Sequence, residues 1–161
     1  MIIALTGLRG SGKTKIGLAL AEKLKLKFYD LDQEIEKRLK RKIKDLVTKN
    51  GWEYFRKIES EVLKKTTEKI NKNKKITILS LGGGTIIEEK NAKLIRKNCF
   101  VIYLKDTPEN CAKRISKEER PALTKQKTLL KEMKELYKAR HKIYKKNADL
   151  ILKKSSISFL A

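Results

Sequence analysis

Short continuous apolar runs alternate along this chain with longer stretches in which apolar residues return at three- and four-residue steps. Met1-Ile2-Ile3-Ala4-Leu5-Thr6 reads as a strand, and residues 15–24, beyond a glycine-rich loop, read as an amphipathic helix. Leu26-Lys27-Phe28-Tyr29 is a second short strand that ends in Asp30-Leu31-Asp32. Residues 33–70 carry a helical pattern broken near Asn50-Gly51, a good helix stop. Within it Trp52, Phe55 and Ile58 have the spacing of one buried face. Residues 75–81 form the clearest β run, cut off by Gly82-Gly83-Gly84-Thr85. A helix over 88–97 and a strand over 99–104 follow. Thr107-Pro108-Glu109 then has the chemistry of a helix start, opening a helix to about Ser116. Residues 117–124 are charged, interrupted by Pro121, and read as a loop. A helix over 125–145 carries Leu129, Met133, Leu136, Arg140 and Tyr144 on one stripe, and 148–152 is a last strand. Five β runs alternating with helices predict an α/β fold built on a parallel sheet. With no repeat or low-complexity linker, the 161 residues are expected to form one domain.

Charge adds a bias without choosing a partner. The 41 basic and 19 acidic residues give a formal charge of +22, which favours anionic ligands in general. The lysines are spread over expected helix surfaces and loops, so a lysine-rich solvated exterior is the simplest reading. No basic platform interleaved with aromatics suggests single-strand nucleic-acid binding. Cys99 and Cys111 lack metal-ligand spacing and are expected to be buried small apolar residues in a reducing compartment. The one histidine, His141, lies in a charged helical run and is expected to be exposed. No stretch approaches the ~18 apolar residues of a membrane span. The N-terminus enters a strand directly, without a basic-then-apolar leader, which points to the cytoplasm.

The chemistry begins at Gly7-Leu8-Arg9-Gly10-Ser11-Gly12-Lys13-Thr14, a G-x-x-x-x-G-K-[ST] loop between a strand and a helix. Its backbone N–H groups and the helix start favour phosphate; Lys13 can reach the outer phosphates and Thr14 can offer a hydroxyl to Mg²⁺. A dinucleotide loop is the nearest rival, but Lys15 stands where its third glycine would be. Asp30 and Asp32, one residue apart, either share a face to serve a metal and a hydroxyl, or Asp32 caps the next helix. Arg56 with Glu59 at i+3 is either a surface ion pair or an arginine oriented for a carboxylate. The three glycines are either a plain turn or a place where backbone meets a ligand. Arg140, in an otherwise apolar stripe, should face something anionic. Arg120 is the one arginine of the 117–124 loop.

Taken together, the phosphate loop, Asp30-Leu31-Asp32, Phe55-Arg56 with Glu59, Gly82-Gly83-Gly84, Arg120-Pro121 and Arg140-x-x-x-Tyr144 resemble the shikimate kinase family. These are small P-loop kinases of the nucleoside-monophosphate-kinase-like group, and the resemblance runs to about residue 152. It implies a five-stranded parallel sheet flanked by helices, with acceptor-binding helices over about 32–62 and a short lid over about 114–126. It also implies transfer of the ATP γ-phosphoryl group to the 3-hydroxyl of shikimate, on the route to chorismate and the aromatic amino acids. Gly10, Ser11, Gly12, Lys13, Thr14 and Lys15 would cradle the ATP phosphates, and Arg114 would lie near the adenine. Thr14 would ligate Mg²⁺ and Asp30 would support it through water. Asp32 would hold the attacking hydroxyl and is the candidate for its proton. Arg56 and Arg140 would clamp the shikimate carboxylate, with Gly82, Gly83 and Gly84 offering backbone contacts. Lys13, Asp32 and Arg120 would carry the catalysis, Arg120 from the lid. The tail 153–161 lacks the arginine- and proline-bearing adenine loop common in the family. A monomer binding ATP and shikimate, with no specific nucleic acid and no membrane, is expected. The alternatives are a gluconate or nucleoside monophosphate kinase of the same fold, or a basic nucleic-acid-binding NTPase.

Overall fold

In the computed structural model, which describes residues 1–115 and 121–153, five strands form one sheet in the order β2-β3-β1-β4-β5, every neighbouring pair parallel. They are β1 (Ile2–Thr6), β2 (Lys27–Asp30), β3 (Thr77–Ser80), β4 (Cys99–Lys105) and β5 (Leu150–Lys153). The helices are α1 (Lys13–Lys23), α2 (Leu31–Leu39), α3 (Ile43–Lys72), α4 (Glu89–Asn98), α5 (Pro108–Arg114) and α6 (Leu129–Lys146). Because side chains alternate across a strand, β1 feeds both faces. Ile2 and Ala4 join a core with Leu79, Val101, Tyr103, Leu63 and Tyr144, whereas Leu5 joins Ile16, Ile78, Ile102 and Leu104 on the other side.

The chain leaves β1 for β2 past the place that β3 will take, then returns through β3 to β4 on the far side of β1. Such a reversal opens a crevice at the C-terminal ends of the strands. Asp30 pairs in register with Ser80, and Ser80 with Leu5. The acidic turn, the glycine triplet and the phosphate loop therefore all emerge at one level of the sheet edge.

Helical boundaries differ from the sequence pattern where a polar side chain or a left-handed residue intervenes. The 33–70 segment is two helices, separated at Lys40, which adopts φ 51°. No glycine marks that break. The expected break at Gly51 is a kink inside α3, with φ 79° and ψ 170° and open space around it. Its conformation, rather than crowding, calls for glycine there. α6 begins at Leu129 rather than Lys125: the Thr128 side chain caps it by accepting from the Lys131 amide at 3.3 Å. α5 ends at Arg114, with Ile115 already extended.

His141 is half-buried rather than exposed. Its ring stacks on Tyr137 at 4.8 Å, and Nδ1 lies 3.0 Å from the Tyr103 hydroxyl. Burial, with Lys105 and Lys145 nearby, lowers its pKa. Cys111 is fully buried and Cys99 half-buried, and neither forms a disulfide. Burial, with the Asp149 carboxylate nearby, pushes the Cys99 thiol up to about 12. The native protein is therefore expected to alkylate at least roughly tenfold more slowly with iodoacetamide at pH 8 than in denaturant, since the thiolate is the reactive form. Labelling followed by mass spectrometry checks this; equal rates would mean that these thiols are not shielded. Among the described residues, no helix is long and apolar enough to cross a membrane.

Candidate active site

The loop after β1 wraps the first turn of α1. Gly12 holds the left-handed position that starts the helix, and the Ser11 amide donates to the Leu8 carbonyl at 3.1 Å. Lys13 is buried, and its Nζ donates to the carbonyls of Gly7 at 3.1 Å and Leu8 at 2.8 Å. The loop therefore holds its own lysine over the concavity. Lys15 is exposed at the rim. Gly10, Gly12, Lys13, Thr14 and Lys15 line a cavity of about 400 Å³ together with Asp32, Gly82, Gly83 and Arg114. Ser11 is buried beneath the loop. Arg114 is fixed by donating to Asp106 at 2.6 Å and to the Gly10 carbonyl at 3.0 Å.

The acidic turn is capped by the aspartate that the sequence reading did not propose for that role. Asp30, not Asp32, caps α2: its Oδ1 accepts from the amides of Asp32 at 3.0 Å and Gln33 at 3.3 Å. Its other oxygen accepts from the Thr14 hydroxyl at 2.7 Å. Asp32 is thereby left to point its carboxylate toward the cavities, where Oδ1 would lie 3.3 Å from a Cβ on Gly82. The hydroxyl–carboxylate pair Thr14–Asp30 faces the phosphate loop with oxygen donors only, and no cluster of three His, Cys, Asp or Glu side chains occurs among the described residues. That donor set fits Mg²⁺, which keeps several waters and takes most other ligands from phosphate.

A second, smaller cavity adjoins the first and shares Arg9, Asp32, Gly82 and Gly83 with it. Arg56 and Arg140 both line it, beside Trp52, Phe55 and Leu123. Glu59 is fully buried and its Oε2 accepts from Arg56 Nη1 at 2.6 Å, while Oε1 accepts from the Thr85 hydroxyl at 2.7 Å. Burial pushes the Glu59 carboxyl above its ordinary range, against the opposing pull of Arg56 and Thr85. The Arg56 guanidinium also lies 5.5 Å from the Trp52 ring centre and 5.2 Å from that of Phe55. A side chain at Gly84 would overlap that guanidinium, so glycine here leaves Arg56 its place against Glu59. Across the cavity, Arg140 Nη1 donates to the Gly83 carbonyl at 3.2 Å, and the Tyr144 hydroxyl donates to the same oxygen. Arg56 is thus far more than a surface ion pair. With five donors in its fork, it can keep Glu59 and still receive another carboxylate.

Of the residues expected at the site, Arg120 lies outside the described residues, as do 116–119 of the lid and the tail 154–161. The flank of that segment is described. Trp52 Nε1 donates to the Ala122 carbonyl at 3.1 Å, and the buried Glu132 accepts from the amides of Leu123 at 3.0 Å and Thr124 at 3.3 Å. The sequence reading missed Glu132, although an acidic residue one position before Met133 of the apolar stripe was a usable signal. It also passed over Tyr144 as a donor and Arg9 as a cavity residue.

Comparison with known proteins gives a consistent result. The sequence model of the family described as shikimate kinase matches residues 9–158. The shikimate kinase of Dictyoglomus turgidum is 39% identical over 154 residues, covering 93% of this chain and 86% of the relative. That of Persephonella marina is 42% identical over 147 residues, covering 88% and 82%. Among solved structures, shikimate kinase from Acinetobacter baumannii in complex with shikimate superposes with a TM-score of 0.85 at 31% identity, over 94% of this chain and 82% of that one.

Proposed function

The chain belongs to the shikimate kinase family, and from that premise we propose how its residues divide the work of moving the ATP γ-phosphoryl group to the shikimate 3-hydroxyl. One observation carries the reading. A phosphate-loop cavity and a cavity lined by two arginines meet at a single carboxylate, Asp32. A small anionic alcohol held by Arg56 and Arg140 would present its hydroxyl to Asp32, with the ATP phosphates on the far side.

Phosphoryl transfer needs positioning and charge neutralisation more than covalent help. The loop amides and Lys13 would hold the β- and γ-phosphates, with Ser11 and Lys15 completing the cradle. Arg114, anchored between Asp106 and Gly10, would flank the adenine. Thr14 and Asp30 would hold Mg²⁺, which when bound with ATP neutralises charge on the β- and γ-phosphates. The O3–Pγ bond forms as the bond from Pγ to the β–γ bridging oxygen breaks, and that electron pair leaves on ADP. The hydroxyl proton passes to Asp32. Gly82, Gly83 and Gly84 would meet the acceptor with backbone, and Arg120 would act from the lid.

Residues 1–161 would act as one kinase domain, with acceptor-binding helices over about 32–62 and a lid over about 114–126. The accompanying reading is a cytoplasmic monomer without specific nucleic-acid binding. Thiols outside any disulfide, with ATP as donor, suit a reducing, nucleotide-rich compartment. The same two arginines could hold the carboxylate of gluconate or the phosphate of a nucleotide, and it is the match to the shikimate kinase family over residues 9–158 that favours shikimate over the gluconate, nucleoside monophosphate and nucleic-acid readings.

The test is an ADP-release assay with Mg-ATP and a panel of shikimate, gluconate and nucleoside monophosphates. Turnover is expected with shikimate alone. Turnover with another acceptor instead would leave the phosphate loop its role and take the carboxylate clamp from Arg56 and Arg140.

A further inference from the structure

The phosphate loop carries an arginine whose place the mechanism above does not use. Arg9 is half-buried, and three cavities meet at it. It lines the phosphate cavity with Lys13 and the acceptor cavity with Asp32, Arg56 and Arg140. It also lines a third cavity, of about 260 Å³, bounded by Ala122 and the start of α6. Its backbone passes close to the acceptor cavity. The Arg9 nitrogen would lie 3.1 Å from a Cβ on Gly83, and Gly83 is the residue whose carbonyl Arg140 and Tyr144 hold. The phosphate loop at Arg9 therefore lies close against the floor of the acceptor cavity at Gly83, and a long cationic side chain starts from there.

We propose that Arg9 is a catalytic residue for phosphoryl transfer, its guanidinium touching the γ-phosphoryl group as that group passes from the phosphate cavity to the acceptor cavity. The proposal rests on the kinase reading above. As the γ-phosphoryl group detaches from ADP and bonds to the acceptor oxygen, its charge spreads over three equatorial oxygens that lie between the two sites. Lys13, folded onto the loop carbonyls, serves the donor side, and Arg56 and Arg140 serve the acceptor carboxylate. Arg9 is the cation that the loop itself brings to the space between them. A planar fork can keep one oxygen while gaining another as the group moves, which a point charge does less well. Its contribution thus grows in the transition state rather than in either ground state.

The experiment compares wild type, Arg9→Met and Arg9→Lys for kcat with saturating Mg-ATP and shikimate. Substrate affinities are measured separately, using the fluorescence of Trp52, the one tryptophan, which lines the acceptor cavity. Arg9→Met is expected to lower kcat by roughly 10²-fold, the usual loss for one preorganised donor. Both dissociation constants should stay within about threefold, since uniform binding is not what is lost. Arg9→Lys should recover about tenfold of that loss, because it restores charge without the fork. Wild type should form a long-lived complex with ADP, aluminium fluoride and shikimate that Arg9→Met does not form.

An unchanged kcat in Arg9→Met, or a loss confined to ATP or shikimate affinity, would overturn the proposal while wild-type turnover leaves the kinase reading standing. If wild type is itself silent with shikimate, both fall together. Should Arg9→Met fail to fold, Arg9→Gln, which keeps polarity and most of the reach, carries the same comparison.

Discussion

Lys13→Ala is expected to lower turnover by at least roughly 10²-fold at saturating Mg-ATP and shikimate, with a clear loss of ATP affinity. The size of the effect follows from two roles of one side chain. Nζ donates to the Gly7 and Leu8 carbonyls, so the lysine ties together the turn that carries the loop amides. It also supplies fixed positive charge at the outer phosphates. Stability should change far less. Two hydrogen bonds of about 1 kcal/mol each are lost, but the cost of burying an ammonium is lost with them. Kinetics alongside a denaturation curve separates these quantities. Substantial residual turnover would remove Lys13 from the outer phosphates, and global unfolding would show that the loop depends on it for folding.

The parallel sheet was legible because its strands are short apolar runs and its helices carry their stripes at helical spacing. Ile2, Ala4 and Leu5 on opposite faces of β1 are that pattern made solid. Strand order was not legible from the runs alone, since pairing depends on which helix covers which face. The ends of elements were least visible. The left-handed turn at Lys40 uses a residue that carries no local signal for it, and the α6 start depends on one threonine side chain. At the site, the sequence offered a shared face for Asp30 and Asp32 or Asp32 as the cap of the next helix, with no sign that Asp30 is the cap, because the point where the strand gives way to the helix carries no local signal. Only the Thr14 contact and the amides of residues 32 and 33 assign the cap to Asp30. The pairing of Arg56 with Glu59 was readable from spacing. That the pair lies under Gly84 and against Thr85 was not, because those contacts join segments distant in sequence.

That burial sets Arg56 apart from Arg140, and single substitutions should separate them. Arg140→Ala is expected to weaken shikimate binding with ATP binding and stability nearly unchanged, since Arg140 holds a backbone carbonyl that Tyr144 also holds and pairs with no buried carboxylate among the described residues. Arg56→Ala should weaken shikimate binding too, and should also destabilise the fold by about 3 kcal/mol, because it leaves a buried carboxylate without its cation. The pH dependence gives the cause away. Glu59 already has a native pKa above its unfolded value, so its contribution to stability is present below the unfolded pKa and is lost as pH rises through the native one. Removing Arg56 removes the main force opposing that shift, leaving burial and Asp32 against Thr85. The gap in stability between Arg56→Ala and wild type should therefore narrow as pH falls from 8 toward 5, where protonating Glu59 relieves the variant. Denaturant midpoints at the two pH values measure the gap. A gap that stays constant would mean that the lost stability comes from the stacking of Arg56 on Trp52 and Phe55 rather than from its charge beside Glu59.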